Sequence, residues 1–570
     1  MIFRPLARKH LLLATALTLC LAPLTARAET GAGAYLATAV ATSESDYSAA
    51  VDWAIRALAV DPGNPALLES LVLSEVGVGD MPAAAKYAAE LIATGSKSQT
   101  AIIVLIADAA KQGDFEAILK LTSNGNSAGT VLDGLAKGWA QLGLGRMSEA
   151  TAAFDKLAKT KGLEAFGLYH KALALASAGD FEGANKILTG EAGGNLVVNR
   201  RGALAQIEIL SQLERNTDAI AFIDRSFIPG RDLQIDDLRR RLVAGEPLPF
   251  TIARNATDGI AEVFFTMATA VNGDAAPAYT MLHSRAAAYL RPDNVEAILL
   301  TANLLEQQHQ YDLAVAAYAT IHPEDPAFYI AEIGRAEATQ AAGRTEASLE
   351  ILQALAKTHP DQLAVQTALG DGFRRAEKFP EAKAAYDAAI ALMPSPPVPE
   401  SWPLYYSRGV SLERMGDFAA ADIDLRQALA LNPNEPQVLN YLGYSLVDRG
   451  EHLDEALGMI QKAVAGRPES GAILDSLAWA YFRLGRYADA LDPMEKASLL
   501  EPVDPVVTDH LGDVYWSVGR KREAEYQWHR ALSFNPTEAD AARIRLKLEK
   551  GLDALRDAEA AKPADAPNGN

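Results

Sequence analysis

The chain has 570 residues, of which 49% are apolar and 22% charged, with a formal net charge of -20. This apolar content supports folded cores and excludes a wholly disordered protein. The acidic balance disfavours nucleic acid as a partner, because phosphate binding requires a basic surface.

The first 28 residues predict an export signal. Arg4, Arg8 and Lys9 precede the apolar run LLLATALTLCLAPL, and ARA at Ala26–Ala28 offers small residues for cleavage before Glu29. The run is too short to favour a membrane span, and no later segment approaches the roughly 18 apolar residues that a spanning helix needs. We therefore expect an exported, periplasmic protein without a membrane span.

The single cysteine, Cys20, lies within the apolar run. One interpretation is a lipidated residue that anchors an outer-membrane lipoprotein, and the other is a chance residue of a cleaved signal. A bacterial lipobox has a small residue before its cysteine, whereas this chain has Leu19. We expect cleavage after Ala28, and a mature chain without cysteine would exclude disulfides and thiolate chemistry.

Residues 29–229 carry weak helical repeats. Ala50, Ala54 and Ala57 are followed by Pro62, as in the closing half of a helix–turn–helix unit, and AGDFEGA at 178–184 predicts the turn within another. We predict six degenerate units in this N-terminal array.

Residues 230–254 break the phase of the repeat. They contain one short predicted helix at 233–243 and then a loop with prolines, so we interpret them as a junction between two arrays. The triplet Arg239–Arg241 has two interpretations, a docking point for an acidic partner or a solvated helix face.

Residues 255–538 form the predicted C-terminal array, in which the repeat becomes regular. The prolines that close its last four units recur at a nearly constant interval: Pro433, Pro468, Pro502 and Pro536. The proline-rich stretch at 393–403 is expected to be an extended segment between two units. A charged capping helix at 539–560 and a disordered tail at 561–570 complete the predicted organisation.

A glycine lies inside a predicted helix of the last unit, LGDVYWSVGR at 511–520. Glycine at Gly512 costs about 1 kcal/mol relative to alanine in a helix interior. We expect it where the first helix crosses the second, facing Ala524, so that a side chain at either position would push the helices apart.

This skeleton resembles the tetratricopeptide repeat, a helix–turn–helix unit of about 34 residues. The last unit carries Thr508 at the leading aromatic position and matches the pattern at Leu511, Gly512, Tyr515, Ala524, Trp528 and Pro536. The resemblance implies an all-α, right-handed superhelical solenoid of about fourteen units in two arrays. In such a solenoid the first helix of each unit lines a concave face.

Three C-terminal segments together resemble a family of bacterial cell-envelope repeat proteins: LNYLGYSLVDRGEHLDEAL, ILDSLAWAYFRLGRYADAL and HLGDVYWSVGRKREAEYQWHRAL. That family includes outer-membrane adaptor lipoproteins that bind carboxy-terminal processing proteases. The resemblance implies protein or peptide partners, with an envelope protease as one candidate.

The sequence offers no candidate catalytic site. It lacks the motifs of phosphate-binding loops, zinc proteases and serine hydrolases. Glu306 and His309 have the spacing of a di-iron helix, but His309 falls at a predicted turn, which favours a solvated histidine. We predict a protein that is not an enzyme, with no cofactor and no metal site.

The phase of the repeat directs nine side chains into the concave face. Aromatic rings interleaved with polar groups are typical of a peptide-binding groove, although each aromatic residue could instead pack between neighbouring units. Trp479 and Trp516 are the expected anchors, for a ligand that is apolar with neutral or basic flanks. The predicted groove consists of Tyr406, Asn440, Tyr444, Asp475, Trp479, Phe482, Asp509, Asp513 and Trp516.

The leading hypothesis is a non-catalytic adaptor or scaffold of the bacterial cell envelope that holds proteins or peptides in this groove. One alternative is a structural subunit of an envelope assembly or polysaccharide-export machine. The other is an enzyme with an unrecognised site.

Overall fold

The computed structural model of the chain describes residues 31–560, apart from 124–126, 192–195, 197, 229 and 231. The predicted signal at 1–28, with Cys20, and the predicted tail at 561–570 lie outside the described residues. All regular elements in the described part are helices, and none of them is long and apolar enough to cross a membrane. Residue contacts divide the chain into two compact units, unit 1 up to Ile351 and unit 2 from Leu352.

The described helices of unit 1 follow one another with short connections. They are α1 (Gly31–Ser43), α2 (Tyr47–Leu58), α3 (Pro65–Val78), α4 (Met81–Ala93), α5 (Gln99–Gln112), α6 (Phe115–Leu121), α7 (Thr130–Gly143), α8 (Met147–Ala158), α9 (Glu164–Ser177), α10 (Phe181–Leu188), α11 (Arg200–Gln212), α12 (Asn216–Ser226), α13 (Leu233–Val243), α14 (Ala256–Val271), α15 (Pro277–Leu290), α16 (Val295–Gln307), α17 (Tyr311–Tyr318) and α18 (Phe328–Ala341).

Helix α19 (Thr345–Thr358) crosses the boundary, and the described helices of unit 2 follow it. They are α20 (Leu363–Arg375), α21 (Phe379–Ala391), α22 (Trp402–Arg414), α23 (Phe418–Leu431), α24 (Pro436–Arg449), α25 (Leu453–Gly466), α26 (Gly471–Arg483), α27 (Tyr487–Leu500), α28 (Pro505–Ser517), α29 (Lys521–Leu532), α30 (Glu538–Lys550) and α31 (Leu552–Ala560). In chain order, six pairs of described helices precede α13 and eight pairs lie between α13 and α30.

Local sequence sets the turns within the helix pairs. Between α22 and α23, Gly416 adopts a left-handed conformation (φ 81°), and the Asp417 carboxylate accepts a hydrogen bond from the Ala420 N–H at 3.2 Å. Glycine reaches this conformation without steric cost, and such a cap stabilises a helix by about 1 kcal/mol. The same Gly-Asp turn recurs at Gly113–Asp114 and Gly179–Asp180.

The pairs of unit 2 pack closely where small residues meet. Ala421, Ala456, Ala490 and Ala524, one per unit, are fully buried. A Cβ added to Gly512 would lie 2.4 Å from the indole nitrogen of Trp528. Gly512 therefore lies at a close helix crossing as expected, but its nearest neighbour is Trp528 and not Ala524.

Unit 1 is more than a linear stack, because the α14–α15 pair packs on α3, α5 and α7, the first helices of earlier pairs. Gly259 of α14 lies against the indole of Trp139, where an added Cβ would come within 2.2 Å of the ring. Arg285 of α15 donates a hydrogen bond to the carbonyl of Gly77 at 2.9 Å. The chain itself therefore covers this face of its first helices.

This packing gives a division of the chain that differs from the sequence analysis. The sequence places a junction at 230–254 and starts the second array at 255, whereas the contacts keep α14–α18 with unit 1. The sequence of α14, ATDGIAEVFFTMATAV, is apolar on most sides, and 11 of its 16 residues are buried. A helix of this kind must be surrounded by other elements.

The C-terminal cap also differs in detail. A single helix is predicted over 539–560, whereas the structure has α30 and α31, separated at Gly551 with φ 79°. A residue with a side chain adopts such a φ only at a steric cost, so glycine marks the break.

Candidate partner-binding groove

The first helices of unit 2 place equivalent residues one repeat apart, and α30 continues this spacing one repeat after α28. The first row contains Tyr406, Asn440, Asp475, Asp509 and then Arg543, and the second row contains Tyr444, Trp479, Asp513 and then Lys547. The predicted groove residues thus lie on neighbouring helices as the repeat phase requires.

At the downstream end of both rows, the cap helix α30 supplies cations to the buried acids. The Lys547 ammonium, only 2% exposed, lies 2.8 Å from Asp509 and 2.7 Å from Asp513. Arg543 adds a contact to Asp509 at 3.1 Å. Burial raises the pKa of Asp513, Lys547 opposes the rise, and Asp509 adds to it. Asp509 and Asp513 therefore form ion pairs with the cap helix α30 of the same chain.

Trp479 is part of a buried stack. Its indole lies 3.9 Å from the His510 ring and 4.6 Å from Phe482, ring centre to ring centre. Asp475 accepts a hydrogen bond from His510 Nδ1 at 2.9 Å. Burial lowers the pKa of His510, but Asp475 and the acids of α28 outweigh burial and raise it. The raised pKa favours the charged form of His510, which pairs with Asp475 and so links α26 with α28.

Helix α31 covers Trp516. The indole N–H donates to Asp553 at 3.0 Å, and a Cβ added to Gly551 would lie 2.7 Å from the ring. Phe482 lies beneath the guanidinium of Arg556, 4.7 Å from its ring centre. The structure therefore places Asp475, Trp479, Phe482, Asp509, Asp513 and Trp516 in contacts within the chain.

The remaining three predicted residues form a half-open surface, which we call the upstream groove and define by Tyr406, Gln437, Asn440 and Tyr444. The Tyr406 hydroxyl accepts a hydrogen bond from the Gln437 side chain at 3.1 Å. Burial raises the pKa of Tyr444, and Asp475 raises it further, so its hydroxyl stays protonated at neutral pH. Both rings are partly exposed.

Asn440 lies one repeat after Tyr406 and one helical turn before Tyr444 on α24, and one of its hydrogen-bonding groups is unpaired. Its side-chain oxygen is buried and has no hydrogen-bond partner in the described part of the chain. A buried acceptor that stays unpaired costs about 1–3 kcal/mol. The upstream groove therefore contains one acceptor that no group of the described chain pairs with.

Three cap residues that contact the rows were not predicted from the sequence. Arg543, Lys547 and Asp553 were assigned only to a solvated capping helix, as lysine and aspartate usually are. The repeat register could have indicated two of them, because Arg543 and Lys547 lie one repeat length after Asp509 and Asp513.

The remaining features from the sequence have local partners. His309 lies at a turn with φ 59° and bonds to the Tyr311 hydroxyl at 2.8 Å, while Glu306 accepts from Tyr318 at 2.6 Å. The arginines of the Arg239–Arg241 triplet pair with Asp224, Asp237 and Glu246 on an exposed surface. Within the described residues, no group of three or more His, Cys, Asp or Glu side chains is arranged to hold a metal ion.

Known proteins share this repeat. A family model described as tetratricopeptide repeat matches residues 367–436, 406–470 and 442–498. A TPR repeat-containing protein of Pseudomonas aeruginosa is 31% identical over 210 residues, which cover 37% of this chain and 35% of the relative. The chain thus spans about a third of the length of that curated relative.

Solved structures also resemble the chain. A tetratricopeptide repeat protein from Parabacteroides merdae has a TM-score of 0.37 at 16% identity, covering 45% of this chain and 97% of its own. Yeast Tom70 has a TM-score of 0.33 at 14% identity, covering 92% of this chain and 96% of its own. At TM-scores this low, the likenesses say nothing about the partners of the chain.

Proposed function

We propose that this chain, whose residues 367–498 are tetratricopeptide repeats, is a non-catalytic scaffold that binds other proteins through the upstream groove. Stacked repeats of this kind expose long surfaces that suit protein partners. The observation that carries the proposal is the upstream groove itself, where partly exposed tyrosines flank the unpaired side-chain oxygen of Asn440.

The groove suits an extended peptide segment. A backbone N–H of the ligand would pair with the Asn440 oxygen once that side chain turns outward, and an apolar side chain would pack on the rings of Tyr406 and Tyr444. Tyrosine supplies large contact area with little loss of side-chain freedom, which is why it is enriched among residues that dominate binding. The cap sets the downstream end of this surface, because α30 occupies the rows from Asp509 onward.

We further propose that the scaffold acts in the bacterial cell envelope. The support is the export signal predicted at 1–28 and the resemblance of the C-terminal repeats to envelope adaptors. A carboxy-terminal processing protease is the partner class that this resemblance suggests.

A crosslinking pull-down from envelope extracts tests the proposal. The bait is the wild-type chain, compared with a variant that carries Tyr406→Ala and Tyr444→Ala. We expect the variant to lose partners that the wild type retains, since removal of a binding anchor costs about 2 kcal/mol or more, roughly a 30-fold loss of affinity. Quantitative mass spectrometry reads the loss for each captured protein.

Tyr526→Ala is the matched control, because Tyr526 is a tyrosine of the second helix α29 and is 74% exposed. This variant should capture the wild-type set. Equal capture by all three baits would contradict the proposal. Recovery of one fixed, stoichiometric complex, unaffected by the groove variant, would favour a structural subunit of an envelope assembly.

A further inference from the structure

A cavity of about 500 Å³ opens in unit 1. Its wall is formed by the N-terminal parts of α11, α13, α16 and α18 and by the loop that precedes α14. Sites for small ligands and side chains have volumes of roughly 300–1,000 Å³. The wall combines charged side chains with aliphatic ones. The net charge of the wall therefore determines whether the cavity can bind a cation or an anion.

Two arginines of α11 line the cavity, and both are already held by carboxylates. Arg200 lies 2.7 Å from Asp232 and 2.7 Å from Glu296. Arg201 lies 2.8 Å from Glu262 and 2.8 Å from Glu296. Every nitrogen of both guanidinium groups that can donate is bonded to an acceptor in the chain.

Two more arginines are held in the same way. Arg291 lies 2.7 Å from Asp293 and donates to two backbone carbonyls of the loop. Arg254 lies 2.6 Å from Asp258. An anionic ligand would have to displace one of the five carboxylates that hold these four arginines.

Two further carboxylates line the cavity, and within the described chain neither forms an ion pair with a lysine or arginine. Glu208 is 5% exposed and accepts hydrogen bonds from the N–H and the hydroxyl of Thr251, at 2.7 and 2.5 Å. Asp325 accepts from the Ala327 N–H at 2.8 Å. Five carboxylates and four arginines therefore line this cavity. Asp258 and Glu262, which hold Arg254 and Arg201, lie outside the lining and bring the carboxylates to seven for four arginines.

We propose that the cavity binds an organic cation on an aliphatic stem, an ammonium or guanidinium group held by Glu208 and Asp325, the two lining carboxylates that form no ion pair with an arginine. The stem packs on the aliphatic part of the wall, which includes Leu233, Val295 and Leu299. Two sources supply this chemistry, a lysine or arginine side chain of a partner protein and a free small amine. The site lies in unit 1 and is independent of the upstream groove.

Isothermal titration calorimetry on the full chain tests this site with four probes. N-acetyl-lysine methylamide represents a protein side chain, and 1,5-diaminopentane represents a free amine. N-acetyl-norleucine methylamide has the same stem without the charge, and succinate is the anion. We expect both cations to bind, more weakly as salt increases, and the other two probes not to bind. The cation that binds more tightly indicates whether the natural ligand is a protein side chain or a free amine.

Glu208→Gln and Asp325→Asn remove one charge each. Each amide keeps one oxygen that accepts from the N–H of Thr251 or Ala327, and at position 208 the amide nitrogen faces the Thr251 hydroxyl, which can accept. At least one of them should weaken cation binding tenfold or more. Glu149→Gln, an exposed carboxylate of α8, is the matched control and should bind as the wild type does. Unfolding temperatures establish that each variant is folded. Absence of cation binding at millimolar concentration, equal binding of succinate, or unchanged affinity in both cavity variants would overturn the proposal.

Discussion

At the crossing of α28 and α29, a single missing side chain sets the distance between two helices. A Cβ at Gly512 would meet the indole of Trp528, whose N–H donates to Asp513 at 2.9 Å. The ring could move away only by losing that hydrogen bond. The close approach therefore offsets the low helix propensity of glycine at this position.

Gly512→Ala should lower the free energy of unfolding of unit 2 by about 1–3 kcal/mol, as overpacking does. Gly458→Ala is the matched control, since Gly458 lies within α25 and an added Cβ would meet nothing within 4 Å. That change should instead stabilise by about 0.5–1 kcal/mol through helix propensity. Urea unfolding of both variants measures the difference. Equal effects of the two substitutions would show that the crossing is not tight.

Two buried histidines give unit 1 an acid-sensitive core. His283 of α15 packs between Phe264 and Tyr279, and neither ring nitrogen has a hydrogen-bond partner among the described residues. Burial lowers the pKa of His283 to about 4 and that of His170 to about 3. An unfolded histidine titrates near 6.5. The unfolded chain therefore binds protons first as the pH falls.

Stability from His283 is fully present above about pH 6.5 and is lost as the pH falls toward 4, by roughly 3 kcal/mol at the lower limit. His283→Leu should remove this contribution, so that the free energy of unfolding falls less between pH 7 and pH 5. His529→Leu is the control, because that ring is exposed on α29. Urea unfolding at both pH values measures the slope. A slope unchanged in His283→Leu would mean that His283 is not buried as a neutral ring.

At the scale of the element, the cap helix α30 has one charged side chain, Lys547, that points inward. A charged helix at the end of a repeat array is expected to be solvated, yet Lys547 is buried between two aspartates. Helical propensity and composition predicted that a cap exists. They could not show that its lysine faces the rows, because only the three-dimensional register pairs residues that lie one repeat apart in the sequence.

Lys547→Met should destabilise the end of unit 2 by about 3–5 kcal/mol, because it leaves Asp513 buried without this cation and Asp509 with Arg543 alone. Lys550→Met is the control, a lysine of the same helix that is exposed. Hydrogen exchange should show lost protection in α28 to α31, since repeat arrays lose stability locally. Protection equal to that of the control variant would mean that the ion cluster does not hold the cap.

The sequence predicts which helices carry the nine candidate groove residues, but it does not predict which of these side chains are exposed. Repeat phase alone placed Tyr406, Asn440 and Tyr444 on one surface, together with six residues that the structure shows in contacts within the chain. Trp479 stacks on His510 through side-chain packing, and Trp516 is covered by α31 because the chain turns at Gly551. The periodicity of the sequence predicts neither contact.

For the whole molecule, the all-helical prediction is confirmed by the described helices, and the tetratricopeptide prediction is confirmed by the family match for residues 367–498. The place of the α14–α15 pair was not predicted. Its helical periodicity is the same whether the pair continues a stack or packs on earlier first helices. The fourteen helix pairs agree with the expected count, whereas the division at 351/352 follows from tertiary contacts.

Export remains a prediction of the sequence. The mature protein from an envelope fraction should begin at Glu29, because the small residues of ARA end at Ala28. N-terminal sequencing measures this directly. A lipid-modified N-terminus at Cys20 would instead establish an outer-membrane anchor, and an intact Met1 in the mature protein would contradict export with cleavage.

Site-specific photocrosslinking most directly tests the claim that the upstream groove receives a protein partner. A photoreactive amino acid replaces the exposed Gln437 of the upstream groove in one sample and Tyr526 in another, and both are irradiated in the same envelope extract. Position 437 should form a discrete crosslinked product with a protein that the Tyr406→Ala and Tyr444→Ala variant fails to capture, and position 526 should not. The same product from both positions, or its formation only from position 526, would contradict the account.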